Sequence, residues 1–259
     1  MSVLRAAATL LPRRRGPGLP AREVTAEVEV GLDRLASYSR ICGFPVRDRL
    51  PGTFPHVLSF SLVMDLMTGP DFPFPVVGLV HVAQRVTVHR PLTFDRMRFS
   101  VRASDLRPHH RGQQFDVVTV GSVEDSVVWE GVSTYLRISG RSPSSGRSPD
   151  DRPARTATWR VPARTGRDYA AVSGDHNPIH TSRLGARLFG FPRPIAHGMW
   201  TMARCLAALD ARVPAAYTMD VDFRRPLLLP STVGFSATPI DGGWAFEVDS
   251  HLAGRVSAL

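Results

Sequence analysis

The stretch "SGRSPSSGRSPDDRPARTA" (139–157) divides the chain. It is rich in Ser, Pro, Gly and Arg, lacks apolar periodicity, and reads as an exposed linker. The halves on either side carry a worn repeat. Tyr38 opens "YSRICGF" and Tyr169 opens "YAAVSGD", an offset of 169 − 38 = 131 that sets Ile41 and Gly43 opposite Val172 and Gly174. Further on, "RPLTFDRMRFS" (90–100) stands opposite "RPLLLPSTVGFS" (225–236) at a slightly longer offset. A drifting offset is what small insertions in a duplicated unit produce. The expected organisation is an N-terminal segment (1–20), a first half (21–138), the linker (139–156) and a second half (157–259).

Each half reads alike. "VTAEVEV" (24–30) alternates as a strand, a helix follows through "LDRLASYSRI", and "HVLSFSLVMDLM" (56–67) is an apolar helix stopped at Gly69-Pro70. Strand-like runs occupy 79–88, 97–103, 115–123 and 127–138. After the linker come a strand at "TWRV", a helix through "GRDYAAV", a short helix in "SRLGARLF", and a longer one in "GMWTMARCLAALD" (198–210). Strands are expected at 217–224, 232–238, 243–249 and 254–259. One apolar helix followed by antiparallel strands, twice over, predicts an α+β fold in which each sheet wraps a central helix.

Composition excludes several function classes. Hydrophobic residues at 43% and charged residues at 21% describe a globular chain with a core. Apolar runs such as "VVGLV" (76–80) are far too short to span a membrane. The net charge of +9 rests on Arg alone, since the chain contains no Lys. Near-absence of Lys and Asn beside abundant Ala, Gly, Pro and Arg points to a GC-rich coding background, though the charge also suits a phosphate-bearing ligand or acidic carrier. No basic helix with interleaved aromatics or zinc-finger spacing argues for nucleic acid. Cys42 and Cys205, each in an apolar setting, read as buried free thiols of a reducing cytoplasm. The start, "MSVLRAAATLLPRRRGPGLP", has its charge after a short apolar stretch, unlike a secretory signal, and reads as a disordered or edge segment.

Chemistry concentrates in "SGDHNPIH" (173–180), which holds the chain's one Asn. Thr165 and Asp168 have capping-box spacing before Tyr169, and Gly174 suits a left-handed helix end. Asp175 then projects from a loop, Asn177-Pro178 forces a turn, and His180 leads into a helix capped by Thr181 or Ser182. A carboxylate and an imidazole across a rigid turn can orient and deprotonate a water. In "IAHGMW" (195–200), His197-Gly198 precedes a helix whose first N–H groups have no intrahelical partner and favour developing negative charge. Water activation beside an oxyanion site implies chemistry on a carbonyl compound, either addition to a conjugated thioester or thioester hydrolysis. Three plainer readings stand beside it. The loop can be a polar turn satisfying its own backbone. His176 and His180 make an HxxxH pair suggestive of metal, but Pro178 lies between them and no third ligand has suitable spacing. His197 reads as a structural ring near the helix start.

"YAAVSGDHNPIH" followed by "ARLFGFPRPIAHGMW" is similar to the hydratase signature of MaoC-like (R)-specific enoyl-thioester hydratases and dehydratases, and the two-copy layout resembles their double hot-dog members. The match is close over about residues 165–205 and looser elsewhere. The resemblance implies that Asp175 and His180 activate the water that adds across a trans-2-enoyl thioester, giving an (R)-3-hydroxyacyl thioester carried on CoA or acyl carrier protein. It further implies that the Gly198 N–H holds the thioester oxygen, that Asn177 steadies the loop, and that no metal or redox cofactor takes part. At the repeat offset Phe44 and Arg49 stand where Asp175 and His180 stand, so the first half is expected to be a non-catalytic scaffold. The chain is then a pseudo-dimer, as monomer or homodimer. Two alternatives remain: a hot-dog thioesterase, which usually sets its carboxylate on the central helix where this chain has only Asp210 at the far end, and a non-catalytic partner subunit that shapes an acyl channel.

Overall fold

The computed structural model describes residues 18–139 and 155–259. The expected N-terminal segment up to residue 17 and the linker over 140–154 lie outside the described residues. The first half runs β1 (Val24–Val28), α1 (Leu32–Cys42), α2 (Phe54–Met67), β2 (Leu79–Val88), β3 (Met97–His109), β4 (Gly112–Val123) and β5 (Ser126–Ile138). The second runs β6 (Ala157–Val161), α3 (Thr165–Ser173), α4 (Pro178–Thr181), α5 (Arg183–Leu188), α6 (Gly198–Leu209), a 3₁₀ turn (Asp210–Arg212), β7 (Tyr217–Phe223), β8 (Ser231–Ile240), β9 (Gly243–Val248) and β10 (Leu252–Ala258).

The strands form one antiparallel sheet in the order β1-β3-β4-β5-β2-β7-β10-β9-β8-β6. Read from its own edge, the second half gives β6-β8-β9-β10-β7, the same succession as β1-β3-β4-β5-β2. The halves meet at β2 and β7, where Thr87 faces Thr218 with their hydroxyl oxygens 3.4 Å apart. These two threonines are separated by the repeat offset itself, so they mark an approximate twofold axis. Arg85 crosses the same seam to donate to Asp220 at 2.6 Å.

Helix α2 is apolar on all sides and therefore buried on nearly all of them, from Phe54 to Met67. Pro55 occupies its first turn, where a missing N–H costs nothing. Helix α6 fills the corresponding place in the second half with Met199, Trp200, Met202, Cys205, Leu206 and Leu209 buried. Fully burying side chains of this size contributes about 1.5–3 kcal/mol each.

Helices α1 and α3 end alike. Gly43 (φ 80°) and Gly174 (φ 81°) both adopt the left-handed conformation, which glycine enters without a Cβ penalty. Tyr38 and Tyr169 are both buried, with rings 6.2 Å apart. Both cysteines are buried and unbridged. The capping box expected of Thr165 and Asp168 does not form. Thr165 is buried as the first helical residue, Arg164 takes the cap position without a side-chain bond, and Asp168 pairs instead with Arg164 at 3.3 Å. None of the described helices is long and apolar enough to cross a membrane.

Candidate active site

The loop after α3 is held by its own side chains. Ser173 Oγ accepts from the Asp175 N–H (3.2 Å), Asp175 Oδ1 from the Asn177 N–H (3.1 Å), and Asn177 Oδ1 from the Ile179 N–H (3.2 Å). Asn177 thereby caps α4, a single turn opened by Pro178 that carries His180. Ser182, one of the two expected caps, accepts from the Gly185 N–H and starts α5.

His180 and His197 are both buried and stack with ring centroids 3.7 Å apart and planes 26° apart. His180 Nδ1 lies 2.8 Å from the Ile195 carbonyl. A carbonyl only accepts, so the proton sits on Nδ1 and Nε2 is left as an acceptor. His197 Nε2 lies 3.0 Å from the Asp175 carbonyl and 3.7 Å from Asp175 Oδ2. By the same logic His197 donates from Nε2, and its buried Nδ1 has no partner among the described residues.

Burial pushes the His180 pKa below its ordinary value, partly offset by Asp175. Burial and the adjoining His180 push His197 down to about 3. For Asp175 burial acts upward, but His197, His180, the Asn177 N–H and His56 outweigh it and hold the carboxyl below its usual range. Near neutral pH the cluster is thus one carboxylate beside two neutral imidazoles.

Asp175, His180 and His197 offer ligand atoms within 4.8 Å of one another. This trio differs from the HxxxH pair in the sequence, because the fold brings His197 in from another segment. It fits a metal poorly. Imidazole lone pairs lie in the ring plane, and two nearly parallel stacked rings cannot both direct theirs at one ion about 2 Å away.

Gly198 is the first residue of α6, and its N–H has no hydrogen-bond partner among the described residues. A Cβ there would meet the Phe223 ring at 2.9 Å, so the close approach that requires glycine is made by this aromatic ring.

The first half reaches the site with residues that no local motif announced. Arg34 on α1 donates to the Val172 (2.7 Å), Ser173 (3.4 Å) and Val57 (3.1 Å) carbonyls, tying the end of α3 to α2. His56 on α2 and His81 on β2 both feel the Asp175 charge, and burial pushes their pKa values down to about 4 and about 3. Tyr135 on β5 stacks on His81 with ring centroids 4.9 Å apart. In the sequence these are ordinary members of a helix and of alternating strands; only the β2–β7 seam brings the strand residues toward Asp175. Phe44 and Arg49, the counterparts of Asp175 and His180, lie apart in a cleft with Leu50, Leu206 and Tyr217.

A sequence model of the MaoC-like domain matches residues 142–247. Over 273 aligned residues, spanning 100% of this chain and 97% of the relative, the chain is 42% identical to 3-hydroxyacyl-thioester dehydratase X of Mycobacterium tuberculosis. The crystal structure of HtdX from the same organism superposes with a TM-score of 0.83 at 39% identity, covering 92% of this chain and 100% of that one. A further M. tuberculosis protein, described as having a double hot-dog fold, gives a TM-score of 0.55 at 13% identity over 93% of this chain and 96% of its own, a likeness of fold alone. The twinned sheet order, the two central helices and the full-length relative agree: the chain belongs to the MaoC-like dehydratase family and has its double hot-dog fold.

Proposed function

We propose that this chain is a hydro-lyase that reversibly hydrates trans-2-enoyl thioesters to (R)-3-hydroxyacyl thioesters. What carries this reading is the open Nε2 of His180, an acceptor fixed by the Ile195 carbonyl beside the Asp175 carboxylate. The full-length relative named a 3-hydroxyacyl-thioester dehydratase supports the same reaction.

In the hydration direction Asp175 and the His180 Nε2 orient one water. His180 accepts its proton while the oxygen bonds to C3 of the enoyl group. The C2=C3 electron pair shifts toward the thioester carbonyl, whose oxygen gains charge and is held by the Gly198 N–H at the positive end of α6. The proton then passes from His180 to C2. One proton carrier on one face gives syn addition. Asn177 keeps the loop in register, and His197 holds the Asp175 carbonyl. All these steps use side-chain and backbone groups of the chain, with no metal or redox cofactor. The substrate is carried on CoA or acyl carrier protein, and the working form is a cytoplasmic pseudo-dimer, as monomer or homodimer.

The test is an enoyl-thioester hydration assay across acyl lengths on both carriers. Asp175→Asn and His180→Ala are each expected to lower turnover by at least roughly 10²-fold with unchanged circular dichroism. Full activity in both variants would remove the assignment, and free thiol release without enoyl consumption would identify a thioesterase instead.

A further inference from the structure

The chain leaves the site after His180 and returns to it at Ile195, whose carbonyl holds the His180 ring. A second bond, from the Ile195 N–H to the Ile179 carbonyl at 3.0 Å, closes the neck of this excursion. Gly198, the proposed oxyanion donor, follows three residues later, so the lobe is strung between base and oxyanion donor. Within it lies α5, with Gly185 and Ala186 buried and Gly185 set against Pro178. Its other face is apolar where water would favour polar residues: Leu184 is 70% exposed, Leu188 77% and Phe189 43%. Leu184 and Leu188 stand one turn apart on one side of the helix. An exposed apolar group with a polar rim marks an interaction surface.

The rim here is basic. Arg183 and Arg187, also one turn apart, are exposed and make no side-chain hydrogen bond or ion pair among the described residues. Arg193 closes the lobe, its Nη1 donating to the Pro230 carbonyl at 3.2 Å. No Asp or Glu occurs in the sequence between Asp175 and Asp210, so nothing within the lobe neutralises these charges. A second copy of the chain suits the surface badly. A twofold contact would set the same arginines face to face, and each copy carries a net charge of +9. The phosphates of CoA would use the arginines and leave the leucines in water. An acidic protein uses both, with charge guiding its approach and apolar side chains holding it.

We propose that the α5 lobe is the docking surface for an acidic acyl carrier protein, which delivers the enoyl thioester on its flexible arm to the site at the neck. This inference rests on the hydration reaction proposed above, and it makes the carrier protein, rather than CoA, the preferred carrier. Asp175, His180 and Gly198 treat the thioester alike on either carrier, and only docking differs.

Kinetics on two carriers separate docking from chemistry. The same short enoyl group is offered on acyl carrier protein and on CoA, and kcat and KM are measured for each. The unsubstituted chain is expected to show at least roughly tenfold higher kcat/KM on the carrier protein, an advantage that shrinks as salt rises. Leu184→Ser with Leu188→Ser is expected to raise KM for the carrier-protein substrate roughly tenfold, leaving its kcat and both constants on CoA within about twofold. Arg183→Glu with Arg187→Glu is expected to weaken the carrier-protein substrate similarly and to remove the salt dependence. Equal losses on both carriers, unchanged kinetics on both, or no preference for the carrier protein would each overturn the docking surface. Binding to anionic phospholipid vesicles that the leucine pair abolishes, with carrier-protein kinetics unaltered, would assign the face to a membrane instead. Should the double leucine variant not fold, Leu188→Ser alone makes the same comparison. If the unsubstituted chain hydrates neither substrate, the reaction fails. Calorimetric titration with unloaded carrier protein then still tests the surface, since binding lost in the leucine variant supports it and no binding overturns it.

Discussion

Protonation at His180 is decided by one hydrogen bond and by burial. The Ile195 carbonyl fixes which nitrogen is free, and burial makes that nitrogen a poor site for a second proton. The form proposed to act as base is the neutral imidazole. Because its pKa is lowered, the ring stays neutral at pH values where an exposed histidine, at about 6.5, has begun to charge. The acid limb of kcat/KM for hydration is therefore expected below pH 6.5. A pH–rate profile with that limb at or above the ordinary imidazole value would contradict the buried, singly open geometry. Asp175 does not reverse this sign, since its own pKa is also lowered and it stays ionised through the same range.

At the scale of elements, α3 is a short helix whose last turn must deliver Asp175 accurately, and its free carbonyls are closed by a guanidinium from the other half. Arg34→Met removes the donors to Val172 and Ser173 while keeping much of the side-chain volume. It is expected to cost about 1–3 kcal/mol in urea unfolding and to lower kcat more than it raises KM. An unchanged unfolding midpoint would show that the end of α3 holds without it. The elements themselves were legible in the sequence, because apolar period and glycine stops are local properties. The run 79–88 and the end at Gly174 fall where periodicity and conformational freedom place them. The Thr165 cap was not legible, since burial drew that threonine into the helix. Asp175, His180 and Gly198 stand out in sequence through short-range spacing, whereas Arg34 and His81 become visible only when a helix and a strand from the far half pack beside them.

At the scale of the whole molecule, the two halves share a sheet order and differ at their loop ends. Phe44 is buried and stacks on Tyr38 at 6.0 Å. Thr53, at the cap position of α2, accepts from the Tyr38 hydroxyl at 2.8 Å, whereas His197 holds the cap position of α6. Installing the pair Phe44→Asp and Arg49→His would supply a carboxylate and an imidazole but no ring at the helix cap to hold the loop. No second site is expected, and active-site titration is expected to remain at one per chain. Two titratable sites per chain would show the first half to be more than a scaffold.

The Thr87–Thr218 seam carries an evolutionary consequence. In a symmetric dimer of single units, any substitution on the axis appears twice and must suit both faces at once. Here the residues flanking the axis are encoded separately. Each face can change alone, and association of the halves is a first-order event within one chain, insensitive to dilution. That freedom lets Arg34, His81 and Phe44 differ from their counterparts in the other half.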